Sequence, residues 1–292
     1  MRSALTELVG AEAVAAFADR AFDRMAADDD FKAIAAHGFN VVRIPVNHRL
    51  LEPTPFAVSD AGFAVLDRLL DRAEAQGVYV VIDLQSAPGG QAELFTADPG
   101  PVLLWDSEEA KKRTVALWKV IAARYRDRTI VAGYDLLNEP NPPNGRALLD
   151  LYQQIIAGIR SVDRNHLLII EGADYSKDFS IFTGALDPNQ AWSFHIYTWF
   201  GEDPRKLIDG YAKVGQIDGT PVWCGEFGEN KGDLLQTTID ALDGADPPLQ
   251  GWAFWTWKKV SPNVFPALHA MTAPPAWKKT IDWVVAPSSL SK

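Results

Sequence analysis

The stretch AGFAVLDRLLDRAEAQGVYVVIDL, residues 61–84, carries in one piece the pattern that decides the fold. Its first part, Ala61 to Gln76, places Phe63, Leu66, Leu69, Leu70 and Ala73 at three-to-four spacing, so they share one face of a helix that Gly77 closes. Its second part, Val78 to Leu84, is a near-continuous apolar run rich in β-branched residues, as expected of a strand buried on both faces of a parallel sheet. Similar runs lie at Val41 to Val46, Ile130 to Leu137, His166 to Ile170, Ala191 to Ile196, Val222 to Gly225 and Gly251 to Trp257. Ser107 to Arg124 reads as another helix, with Ser107 as its cap and Glu108 and Glu109 where the helix dipole favours negative charge. Strands alternating with helices in this way point to an α/β fold, and at 292 residues to a (β/α)8 TIM-type barrel forming one domain over residues 1–292.

A closed barrel of this class needs eight strands, and the pattern supplies seven. Met1 to Asp30 reads as helix, with Leu5, Leu8, Val14, Phe17, Phe22 and Met25 as its apolar set, so a helical segment of residues 1–36 precedes the strands. Either the first strand precedes the start as given, or the barrel is incomplete, in which case its unpaired strand edges must be covered by a rearranged N-terminal segment or by a second copy in a homo-oligomer.

A net charge of −10 and a pI near 5.0 argue against nucleic acid or an anionic membrane as partner, since either requires a basic patch. No apolar run approaches the roughly 20 residues that span a bilayer. The Ala-rich, acidic start reads as that of a cytoplasmic protein; an earlier start would leave room for an export signal. Cys224 is alone, and His37, His48, His166, His195 and His269 show no HExxH spacing, so no catalytic metal is expected. Pro88-Gly89-Gly90-Gln91 lacks the lysine and spacing of a phosphate loop, and no cofactor is expected either. The 10 tryptophans exceed what core filling requires, which fits a site lined by aromatic side chains and a neutral substrate.

Barrels of this type carry their chemistry at the carboxyl ends of the strands. One apolar run ends in Asp135-Leu136-Leu137-Asn138-Glu139-Pro140 and another in Val222-Trp223-Cys224-Gly225-Glu226-Phe227-Gly228, two carboxylates on different strand ends that can face one pocket. Glycoside cleavage needs such a pair: one carboxyl protonates the leaving oxygen while the other attacks or activates water from the opposite face. Arg43 and Tyr197 end other runs and can hydrogen-bond the second carboxylate, favouring its charged form. Asn138 can hold a sugar 2-hydroxyl, His195 can support the pair, and Trp255 can offer an apolar platform to a sugar face.

In this order the residues resemble glycoside hydrolase family five, the cellulase family in the large clan of (β/α)8 retaining enzymes. The resemblance runs from about Phe31 to Trp257. Gly38-Phe39-Asn40-Val41-Val42-Arg43-Ile44-Pro45 is similar to the family's second strand with its arginine, and Asn138-Glu139-Pro140 to the acid/base strand. His195 with Tyr197 resembles the sixth-strand pair, Glu226 the nucleophile and Trp255 the eighth-strand tryptophan. The resemblance implies retaining hydrolysis of a β-linked glucoside or oligosaccharide, with Glu139 as acid/base and Glu226 as nucleophile. One position departs: where the family has Asp-Leu-His, this chain reads Asp83-Leu84-Gln85, and glutamine donates a hydrogen bond but carries no charge. A carbohydrate-binding protein that keeps the pocket but has lost efficient catalysis is therefore the alternative expectation.

Overall fold

A computed structural model describes residues 2–93, 100–198, 201–228 and 232–257. The N-terminal segment is helical as expected, in three pieces: α1 (Arg2–Val9), α2 (Ala11–Met25) and α3 (Asp28–Ala36). The first break falls at Gly10, whose φ of +84° continues no helix. Then strand and helix alternate: β1 (Val41–Asn47), the single turn α4 (His48–Leu51), α5 (Asp60–Ala75), β2 (Tyr79–Ser86), α6 (Glu108–Tyr125), β3 (Val131–Asp135), α7 (Gly145–Arg160), β4 (Leu167–Glu171), the short α8 (Ala173–Ser176), β5 (Gln190–Ile196), α9 (Pro204–Ala212), β6 (Val222–Phe227), α10 (Gly232–Asp243) and β7 (Trp252–Phe254). Ser59 caps α5 by accepting from the Gly62 amide, and Ser107 caps α6 by accepting from that of Ala110, as its place in the sequence predicts.

All seven strands are parallel and pair in sequence order, β1 to β7. Among the described residues no ladder joins β7 back to β1, so the barrel has a seam where an eighth strand would run. The main core lies between sheet and helices, with Val80, Ile82 and Leu84 of β2 packed among Leu66, Leu70 and Trp118 of the flanking helices. Inside the barrel is a separate small cluster of Val81, Ile169 and Trp223, with Val41, Leu167 and Ala253 packed against it.

The seam opens into a cavity of about 320 Å³ lined by Phe22, Met25, Ile34, Phe39, Val42 and Trp252, among others. Helices α2 and α3 thus lie over the gap, as a rearranged N-terminal segment would, and Trp257 Nε1 donates to Asp30 Oδ1 at 3.0 Å to tie the end of the β7 segment to α3. The cover is partial. Phe22 and Met25 on α2, which line the seam cavity, remain 37% and 46% exposed, beside two strand edges with no ladder across the seam among the described residues. No described helix is long and apolar enough to cross a membrane.

Candidate active site

The interior cluster is the floor of the site, because side chains two residues apart on a strand point the same way. Two residues beyond Val41 is Arg43; beyond Val81, Asp83; beyond Ile169, Glu171; beyond Trp223, Gly225; beyond Ala253, Trp255. Asp135 joins this upper layer, since it is in register with Asp83 and accepts from Arg43. One step up the barrel, an apolar layer becomes a charged one.

Arg43 is the hub of that layer. Its Nε donates to Asp135 Oδ2 at 2.8 Å and its Nη1 to Glu226 Oε1 at 2.7 Å. Its Nη2 donates to Asn138 Oδ1 at 2.9 Å and to Glu171 Oε1 at 3.1 Å, and lies 3.0 Å from Asp83 Oδ1. Gly225 leaves the layer's one position without a side chain, and the His195 imidazole occupies the room: a Cβ at Gly225 would lie 2.9 Å from His195 Nε2. His195 Nδ1 is 2.8 Å from Glu139 Oε1, and Nε2 is 3.3 Å from Glu171 Oε1. Tyr197 donates to Glu226 Oε2 at 2.9 Å. Oxygens of Glu139 and Glu226 and a nitrogen of His195 all lie within 4.8 Å of one another.

Six of the residues singled out from the sequence, Arg43, Asn138, Glu139, His195, Tyr197 and Glu226, therefore meet in one hydrogen-bonded group. Trp255 lines the seam cavity together with Arg43 and Glu226. Gln85 stands two residues past Asp83 inside β2, which runs to Ser86 and so past the Leu84 end read from the sequence. Its carbonyl accepts from Gln91 Nε2 at 2.8 Å, and the same nitrogen donates to the Asn138 carbonyl at 2.9 Å, stapling the turn after β2 to the Glu139 segment. β3 ends at Asp135, so Leu136 to Glu139 leave the sheet, and Glu139 takes a left-handed backbone with φ +45°.

The charges do not balance if every group is ionised. Five carboxyls, of Asp83, Asp135, Glu139, Glu171 and Glu226, share two cationic groups, Arg43 and His195. Burial raises the Asp83 carboxyl well above its ordinary range despite Arg43. Burial, reinforced by the charge of Glu171, pushes Asp135 up to about 8. Glu139 is also raised by burial, with His195 opposing, and so tends to hold its proton. Glu171 goes the other way: burial would raise it, but His195 and Arg43 hold it below the ordinary value. Arg43 and His195 are both raised, the surrounding carboxylates outweighing burial. Glu139, His195 and Glu226 are close enough to hold a metal ion, but each already spends its near atoms on a neighbour: Glu139 on His195, and Glu226 on Arg43 and Tyr197.

Asp135 makes this balance testable. A carboxyl raised in the folded state binds its proton more tightly there than in the unfolded chain, whose value is about 4. The resulting stability is complete below about pH 4 and is lost as pH rises through 8, the folded value. We expect the thermal midpoint of Asp135→Asn to fall less between pH 5 and pH 8 than that of the wild type, at roughly these values of pH. Equal slopes would remove Asp135 from the account.

Asp83, Asp135 and Glu171 were not singled out from the sequence. Their signal was there: each is a lone acid in an apolar strand run, in Val80-Val81-Ile82-Asp83, Gly133-Tyr134-Asp135 and Ile169-Ile170-Glu171. An acid buried in a strand needs a cation, and Arg43 is the strand cation that meets all three.

Residues 8–261 match the family described as cellulase, glycosyl hydrolase family 5. The chain belongs to that family. Within the family's wider relatives, it is 32% identical to a β-xylosidase of Phanerodontia chrysosporium over 89% of this chain, and spans 62% of that protein's length. It is 26% identical to a probable glucan 1,3-β-glucosidase A of Aspergillus fumigatus over 87% of this chain and 74% of that protein. Among solved structures it superposes on an endo-β-1,4-glucanase of Xanthomonas axonopodis pv. citri with a TM-score of 0.70, at 18% identity and 91% coverage of both chains. An endoglucanase of Thermotoga maritima gives a TM-score of 0.65 at 23% identity, covering 78% of this chain and 81% of that one. Both have the TIM-barrel fold of the family.

Proposed function

We propose that the protein hydrolyses a β-glycosidic bond with retention of configuration, by double displacement. The observation that carries this reading is the approach of Glu139 and Glu226 oxygens to within 4.8 Å in unlike surroundings. Retaining pairs stand about 5 to 5.5 Å apart, whereas inverting pairs leave roughly 6.5 to 9.5 Å for a water. The surroundings divide the roles. Glu226 accepts from the Arg43 guanidinium and the Tyr197 hydroxyl, which suits an anionic nucleophile, while burial raises Glu139, which suits an acid.

In the first step a Glu226 oxygen bonds to the anomeric carbon as the bond to the leaving oxygen breaks, and the Glu139 proton passes to that oxygen. In the second, water attacks the anomeric carbon, gives its proton to Glu139 and releases Glu226. Arg43 donates to the amide oxygen of Asn138 and so fixes which amide atom can act as a donor; by the family resemblance that donor would serve a sugar 2-hydroxyl. The names of the relatives point to glucosides, xylosides and cello-oligosaccharides as the substrates to try.

The test is nitrophenol release from aryl β-glucoside, xyloside, cellobioside and mannoside. Glu139→Gln should lower kcat/KM, which reports the first step, by about 100- to 10,000-fold for a poor leaving group and far less for dinitrophenol, because a good leaving group needs no proton. Equal losses on both would remove Glu139 as the acid. Gln85 in place of the family histidine favours the second reading, a carbohydrate binder: sugar binding without turnover across the panel would establish it.

The exposed apolar residues of α2 beside the unpaired edges support self-association over the seam. Light scattering should then give twice the chain mass, and a monomer at micromolar concentration would rule it out.

A further inference from the structure

Glu139 must hold a proton in one step and lack it in the next, and two things around it are unusual: its backbone is left-handed, and its carboxyl is aimed by a histidine. Both trace to one side chain. Glu171 Oε2 accepts from the Glu139 backbone amide at 2.6 Å, holding a conformation that a β-carbon disfavours. Glu171 Oε1 lies 3.3 Å from His195 Nε2, an ion-pair distance without hydrogen-bond geometry, and His195 Nδ1 lies 2.8 Å from Glu139 Oε1. Glu171 itself is fully buried at the end of β4, and its own carbonyl accepts from Tyr152 of α7 at 3.0 Å.

We infer that Glu171 is a positioning residue for the acid/base: one oxygen fixes the Glu139 backbone, and the other keeps His195 doubly protonated so that its Nδ1–H donates to Glu139 Oε1. The transferable proton is thereby assigned to Glu139 Oε2, since Oε1 is occupied by the imidazolium through both steps. This rests on the reading of Glu139 as acid/base. The charged groups around Glu171 and His195 come from every neighbouring strand: Arg43 on β1, Asp83 on β2, Asp135 on β3, Glu139 after it, and Glu226 on β6. Arg43 touches Glu171 and Glu226 but not the His195 ring, so the ring's protonation answers to Glu171 and Glu139, with Glu226 Oε2 at 3.8 Å from Nδ1. The direction of the His195 shift, well above the ordinary imidazole value against the effect of burial, agrees.

Nitrogen NMR of His195 in the wild-type chain tests the charge directly and needs no turnover. The inference expects both ring nitrogens protonated at roughly pH 8, where an ordinary histidine is neutral. A neutral ring there overturns it. In Glu171→Gln the ring should turn neutral near pH 7, and kcat for a phenyl glycoside should fall by about 100-fold with KM changed less than about threefold, since a misplaced acid slows chemistry more than binding. For dinitrophenyl glycosides kcat/KM, which reports the first step alone, should be nearly unaffected. Glu171→Asp, which keeps the charge on a shorter stem, should restore the doubly protonated ring. Wild-type kcat for the phenyl glycoside in Glu171→Gln would overturn the positioning role. If Glu139→Gln itself shows no dependence on leaving group, the acid/base reading fails, and the NMR arm still decides the link between Glu171 and His195.

Discussion

Glu226→Gln is expected to release no measurable nitrophenol from any glycoside that the wild type cleaves, a fall in kcat on the order of 10,000-fold or more. Glutamine matches glutamate in shape; its amide oxygen can keep the Arg43 bond at the Oε1 position, and its amide nitrogen at the Oε2 position can donate to the Tyr197 oxygen instead of accepting from it, so the pocket should keep its form and its sugar affinity. It cannot form the ester that the first step requires. Calorimetric titration with the matching oligosaccharide should therefore give a dissociation constant within a few-fold of the wild type, beside absent turnover. Substantial residual turnover would require another nucleophile, and the described residues offer no other carboxylate in contact with both Arg43 and Tyr197.

The second large effect is on stability. Arg43→Met removes the cation on which Asp83, Asp135, Glu171 and Glu226 converge, in a layer where Arg43 and its partners are almost wholly buried. Breaking a buried pair by deleting one partner is destabilising by about 3–5 kcal/mol, because the remaining charge is stranded. Against a total of roughly 5–15 kcal/mol, that is a large share. The loss has a pH signature. Stranded carboxylates can escape by binding protons, so the penalty measured by urea unfolding should be largest near pH 8 and shrink toward pH 5, at roughly those values. A penalty independent of pH would mean that lost packing, not stranded charge, is the cause.

Most of the candidate site's membership was legible because its polar groups sit at the ends of apolar runs. Arg43, Glu139, His195 and Glu226 each interrupt or follow a strand whose hydrophobic pattern is strong, so both the element and the exception could be read. Glu139 was legible as a residue but not as a geometry. Its left-handed backbone depends on Glu171, 32 positions away, and no local pattern encodes a contact of that range. The same holds for the buried acids. Asp83 and Glu171 look alike in sequence, one acid after a run of aliphatic residues, yet burial raises the first despite Arg43, while His195 and Arg43 hold the second down against burial, a difference set by contacts that no local pattern encodes. Strand ends were less legible than strand existence. β3 stops at Asp135 instead of Leu137 because the Glu139 segment must turn inward, and Trp118 Nε1 satisfies the freed Leu136 carbonyl at 2.9 Å. The seven-strand pattern, including the gap before β1, was read correctly from the periodicity alone.

The seam changes what the Arg43–Glu226 bond is for. In a closed ring, hydrogen-bonded ladders hold every strand on both sides; here β1 has a ladder on β2 alone, and its guanidinium reaches past β7 to a carboxylate on β6. That bond is a clasp across an open ring. Under the proposed double displacement, Glu226 gives up its negative charge on becoming an ester, and the clasp weakens to a neutral contact until water restores the carboxylate. The reaction cycle and the mechanical closure of the barrel are thus coupled through one bond, so trapping the enzyme as its covalent intermediate should speed amide exchange in β1 and β7 while leaving β3 and β4 protected.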